Sequence, residues 1–149
     1  MVNFTPRLII GQWRKGYALD WQTISSQFAG YDEFGHPRFD TTRSEVGELL
    51  YRLKYRRDSG AVTDIVETAI KFLGKWNPPC DVIVPVPPST HRPVQPVPVL
   101  SKAISERLNV PLADCVTRSR DIPELKNVSD LDERLQLLEG LHTRTRSNQ

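Results

Sequence analysis

The chain has 149 residues, 38% of them hydrophobic and 26% charged, and 20 basic against 18 acidic residues give a formal net charge of +2 at pH 7. That length suits one domain of ordinary size, and twelve aromatic residues with balanced charge argue against wholesale disorder. So small a net charge supplies no field to draw in nucleic acid or an anionic membrane, which leaves a small anionic ligand as the charged partner still open.

The longest apolar runs, such as Leu8-Ile9-Ile10 and Val82-Ile83-Val84, are too short to cross a bilayer. The start Met1-Val2-Asn3-Phe4 lacks the basic opening and apolar centre of a secretory signal, so the expected location is cytoplasmic. Cys80 and Cys115 form no C-x-x-C pair and have no paired histidines at ligand spacing. No metal site is expected, and both cysteines are predicted to pack as small buried hydrophobes.

Residues 1–43 alternate short apolar or aromatic stretches with turn residues, which predicts a small antiparallel β region. Within it, Tyr31 and Phe39 flank the Gly35-containing turn, the pattern of a hairpin whose aromatic faces pack together. At Ser44 the period changes. Val46, Leu49, Leu50 and Leu53 fall at i, i+3, i+4 and i+7 behind Ser44 as N-cap, and Arg52, Lys54, Arg56 and Arg57 sit at the end where the helix dipole favours cations. Asp58-Ser59-Gly60 turns the chain into a second helix with the stripe Val62, Ile65, Val66, Ala69, Ile70 and Leu73. Gly74 is its C-cap signal and Pro78-Pro79 its stop.

Asp81 to Pro87 is a continuous β-branched run, which predicts a strand buried on both faces of a parallel sheet. A loop from Pro88 to Pro96 then leads to a third helical stripe, Val97, Leu100, Ala103, Ile104 and Leu108, closed by Asn109 and Pro111. Strand, loop and helix make half of a βαβ unit, whose second strand is predicted at Ala113 to Thr117. A last helix is predicted from Asp130 to Glu139 with Leu131, Leu135 and Leu138 inward, and the tail 144–149, without an apolar residue, is expected to be disordered. Nine of the twelve prolines lie between Pro78 and Pro111, marking the stiffest loop.

Parallel sheets bind ligands beyond the carboxyl ends of their strands, which directs attention to Pro87-Pro88-Ser89-Thr90-His91-Arg92. Two hydroxyls, an imidazole, a guanidinium and backbone N–H groups on a proline-braced turn suit phosphate oxygens. The plainer reading is that prolines end a strand and polar residues solvate a loop. His91 could serve as a general base or be merely exposed. Asp114, Asp130, Asp132 and Glu133 stand where acids favour helix and strand starts rather than a metal. The basic end of the first helix, with Glu45 and Glu48 close by, reads as a solvated helix end more readily than as a nucleic-acid contact.

The segment G-E-L-L-Y-R-L-K-Y from Gly47 to Tyr55, the strand and loop D-V-I-V-P-V-P-P-S, the later T-R-S-R-D-I-P-E-L and the Arg134 segment together resemble the ComF-like phosphoribosyltransferases, over roughly residues 45 to 140. The resemblance implies an α/β fold: a partial type I phosphoribosyltransferase-like parallel sheet flanked by helices. That core would span 44–143, after an N-terminal β-hairpin region at 1–43. It also implies that Pro88, Ser89, Thr90, His91 and Arg92 form a pyrophosphate-binding loop and that Lys54 and Tyr55 are the family's K-Y pair. Arg118, Arg120 and Arg134 would belong to a segment that closes over phosphoribosyl diphosphate, with Mg²⁺ as cofactor. Cations and Mg²⁺ would stabilise the charge developing on a departing pyrophosphate, and a closed lid would exclude water.

The sequence departs from that pattern at Arg92-Pro93-Val94-Gln95-Pro96, where relatives carry R-G-F-N-Q, and at Leu125, where they carry glutamine. An N-terminal C-x-x-C knuckle is missing, and no apolar strand leading to two acidic residues and a T-T-G loop follows Glu139. The expectation is therefore an incomplete, inactive site binding phosphoribosyl diphosphate or pyrophosphate, and a sheet that a second copy or a partner chain would complete. The alternative is a non-catalytic interaction module or a truncated remnant of such an enzyme.

Overall fold

The computed structural model describes residues 2–118, 120 and 130–144, and the chain divides into two compact units, residues 1–78 and 79–149. It is a mixed α/β protein whose sheets, among the described residues, are two-stranded and antiparallel, with four helices.

In the first unit, strands β1 (Arg7–Leu8) and β2 (Tyr17–Ala18) pair antiparallel. The intervening turn is closed by Ile9 N–H donating to the Gly16 carbonyl at 2.8 Å and by the Trp13 indole donating to the Ile9 carbonyl at 2.9 Å. Strands β3 (Thr23–Tyr31) and β4 (Pro37–Arg43) form the predicted hairpin. Asp32 shapes its turn: one carboxylate oxygen accepts from Phe34 N–H at 2.9 Å and from His36 N–H at 2.8 Å, and Gly35 takes φ 78°. Phe28 stands opposite Phe39 with ring centroids 5.9 Å apart and touches Tyr31 at 5.3 Å, so the aromatic packing read from the sequence is present.

Helix α1 (Glu45–Arg56) starts as Ser44 predicts, its hydroxyl accepting from Gly47 N–H at 2.9 Å. Arg57, left-handed at φ 53°, ends it. Asp58 joins α1 to helix α2 (Gly60–Trp76): one oxygen accepts from Gly60 N–H at 3.0 Å, the other from Arg52 Nε at 2.9 Å and from Arg52 Nη2. Helix α2 runs past Gly74, the predicted cap. Asn77 adopts the left-handed conformation instead, its N–H reaching the Leu73 carbonyl at 2.7 Å, before the prolines stop the helix.

The two apolar stripes meet as the core: Leu49 and Leu53 with Ala61, Ile65, Val66 and Ala69, all buried. Thr68, fully buried on α2, donates to the Asp64 carbonyl at 2.7 Å and accepts from Val2 N–H at 3.3 Å. Phe4 and Tyr17 pack edge-on against Phe72, and Tyr17 against Trp76 at 4.9 Å, which fixes the N-terminal segment to the end of α2. Every Phe, Tyr and Trp of the chain lies in this unit.

The second unit departs from expectation at its first strand. Among the described residues Ile83 alone pairs, in a parallel bridge with Leu112, through Ile83 N–H to the Pro111 carbonyl at 2.8 Å and Ala113 N–H to the Ile83 carbonyl at 2.9 Å. Val82, Val84 and Val86 are exposed rather than buried on two faces. The reason is local: Pro85, Pro87 and Pro88 have no N–H to donate, so the ladder cannot extend beyond one rung.

Helix α3 (Pro96–Leu108) begins on a proline at its first position and ends at left-handed Asn109, φ 54°. The predicted second strand divides: Leu112 and Ala113 face Ile83, whereas β5 (Val116–Arg118) pairs antiparallel with β6 (His142–Arg144). Between these strands in sequence lies α4 (Leu131–Leu138), capped by Asp130, whose side chain accepts from Glu133 N–H at 3.1 Å. Leu131, Leu135 and Leu138 are exposed, not inward as predicted, while Leu141 is the buried residue of this end. Cys80 is exposed and Cys115 half-buried, a correction to the expectation of two buried thiols. The D-I-P-E-L part of the arginine segment and the tail beyond Arg144 lie outside the described residues.

Among the described residues no helix is long and apolar enough to cross a membrane.

Candidate functional site

The single parallel bridge brings the residues that follow Ile83 beside those that follow Leu112, and a cleft of about 550 Å³ opens there within the second unit. The proline run lines it with Pro87 and Pro88, the segment after Leu112 with Asp114, Thr117 and Arg118, and α3 with Lys102. The polar groups are thus two cations, one carboxylate and one hydroxyl set in a largely apolar surround, a composition usual for small-molecule sites.

Arg118 is the most constrained of them. Its Nη1 donates to the Ser89 carbonyl at 3.0 Å, which ties β5 to the loop, while its Nε is shielded from solvent and has no hydrogen-bond partner among the described residues. A shielded guanidinium N–H without an acceptor is costly unless a ligand supplies one, and an oxyanion is the matching acceptor.

Of the residues predicted for the site, Pro88 and Arg118 line the cleft and Ser89 is joined to it through its carbonyl. The Thr90 carbonyl accepts from Gln95 Nε2 at 3.0 Å, an internal brace of the loop. His91 is exposed, and Arg92 is half-buried and engaged within the protein. Arg120 has a structural use, since its Nη2 donates to the Leu137 and Glu139 carbonyls, both at 2.9 Å, closing the C-terminal end of α4. Arg134 is half-buried on α4 and likewise engaged. Lys54 and Tyr55 belong to the first unit, where the Tyr55 ring leans on Tyr51 at 5.0 Å.

Two lining residues escaped the sequence reading as ligand groups, Lys102 and Asp114. The signal for Lys102 was its spacing: it lies four residues after Pro98, one helical turn further along the same face. Asp114 directly follows the residue pair that faces Ile83, the position at which parallel strands present ligand groups.

A second cavity, of about 390 Å³, lies in the first unit against Phe4 and Phe72, with Lys71 and Lys75 at its rim. No predicted residue lines it. Comparison of the chain with protein-family models, curated proteins and solved structures finds no match.

Proposed function

We propose that the chain is a phosphoribosyltransferase-like binding protein, holding pyrophosphate or phosphoribosyl diphosphate in the cleft of its second unit. The observation that carries the reading is Arg118, fixed by its Nη1 at the Ser89 carbonyl and retaining a shielded Nε without a partner among the described residues, beside a cleft that Lys102 also lines. Two cations over one cleft suit a ligand with two adjacent phosphoryl groups better than one with a single charge. The order of strand-like run, loop, helix and parallel return, with K-Y upstream and arginines downstream, supports the same ligand class by resemblance.

Magnesium fits this arrangement as a companion of the ligand. It takes most of its ligands from phosphate oxygens and water and needs one or two protein carboxylates, for which Asp114 on the cleft wall is suited. When bound it would neutralise the diphosphate, while Arg118 and Lys102 orient the remaining oxygens.

Isothermal titration of the full chain with pyrophosphate and with phosphoribosyl diphosphate, with and without Mg²⁺, tests the proposal. Binding of either, weakened about tenfold or more by Arg118→Ala and by Lys102→Ala, is the expected result, in line with the loss of a charge-assisted hydrogen bond of about 1.5–3 kcal/mol. No heat with either ligand, or binding indifferent to both substitutions, overturns it.

A further inference from the structure

We infer that the β3–β4 hairpin is a dimerisation element, pairing edge to edge through β4 with β4 of a second copy of this chain. A two-stranded ribbon is marginal by itself, and in this one nearly every residue of both strands is exposed. Large apolar side chains concentrate there: Phe28 is 56% exposed, Tyr31 68% and Phe39 58%. Phe28 and Phe39 share one face as a cross-strand pair, with Ser26 and Thr41 next along it joined by their hydroxyls at 3.3 Å.

The two outer edges differ. Both irregularities of register, between Thr23 and Ser25 and between Phe28 and Tyr31, place the extra residue on β3, and bulges of that kind spoil an edge for further pairing. Strand β4 is the regular edge. It also carries charge in a self-complementary order, Arg38-Phe39-Asp40. In an antiparallel pair centred on Phe39, the two-fold axis sets Arg38 of each copy opposite Asp40 of the other and brings the two Phe39 rings together on the opposite face. Neither Arg38 nor Asp40 has an ion-pair partner within the chain among the described residues, so both are available for that exchange. The anchored end of β4 is clear of the contact: Arg43 is held by Glu48 at 3.6 Å and lies over the Tyr51 ring, beyond the 37–41 stretch that pairs. Pro37 at the margin withholds one donor, which an edge tolerates.

Sedimentation velocity of the full chain over a range of concentrations tests this. The wild-type chain is expected to form dimers that weaken with added salt. Asp40→Arg, which places four cations at the contact, is expected to raise the dimer dissociation constant about tenfold or more. The double variant Arg38→Asp with Asp40→Arg restores the complementary order and is expected to dimerise again, which separates lost pairing from lost folding. A wild-type chain that stays monomeric to its solubility limit overturns the inference, as does a dimer unmoved by Asp40→Arg or a double variant that remains monomeric.

Discussion

The helix pair and the β3–β4 hairpin belong to the same unit and each displays an apolar pattern of the right period, yet one buries its pattern and the other leaves it in water. Leu53 of α1 is 1% exposed, because the α1 stripe has the α2 stripe to lie against. Phe39 of β4 packs edge-on against Phe28 of its own ribbon and remains more than half exposed. A periodic pattern therefore specifies which side chains will share a face, whereas burial needs a second face to receive them.

Truncations sharpen that contrast. Leu53→Ala is expected to lower the free energy of unfolding by about 2–5 kcal/mol, the range for a cavity in a packed core, and Phe39→Ala by less than about 0.5 kcal/mol in dilute monomeric protein. Urea denaturation followed by circular dichroism measures both, and equal costs would break the comparison. The next effect reverses a rule within the helix pair itself. Gly47 sits against the Gln22 backbone carbonyl, which a Cβ would strike, whereas Gly74 has open space around it and an ordinary helical φ. Gly47→Ala is expected to destabilise by about 1–3 kcal/mol through overpacking, and Gly74→Ala to stabilise by about 0.5–1 kcal/mol. Thermal melts of the two variants side by side would show shifts of opposite sign.

The smallest effect concerns the junction of the two helices. Hydrogen bonding from Arg52 holds the Asp58 carboxyl below its ordinary value of 3.8. Because the folded value is the lower one, the stabilisation is present above pH 3.8 and is lost as pH falls through the folded value. The difference in urea midpoint between wild type and Asp58→Asn is accordingly expected to be constant near neutrality and to shrink below that pH.

Much of the first unit was legible in the sequence, since helix starts, stripes and the hairpin turn are local matters. Ser44 caps where its side chain and the following period say it should, and Asp32 with Gly35 makes the turn between the aromatic residues. The second unit was harder to read because the same β-branched residues that signal a strand are interleaved with prolines. Apolar periodicity does not register the missing donors, so a two-sided strand was expected where one bridge exists. The loop read as a ligand segment borders the cleft through Pro88, whereas Arg120, expected among the ligand groups, donates through Nη2 to the Leu137 and Glu139 carbonyls, a use that depends on where α4 ends. Lys102 escapes the sequence because its signal, the one-turn spacing from Pro98, marks a cleft residue only once Pro98 is known to line the cleft.

The confinement of all aromatic residues to the first unit makes the chain optically two-toned. Absorbance at 280 nm, tryptophan emission and near-ultraviolet dichroism report residues 1–78, and the cleft in the second unit contributes no chromophore of its own. A single tryptophan introduced beside the cleft, at Val116 for instance, would give that unit its own signal.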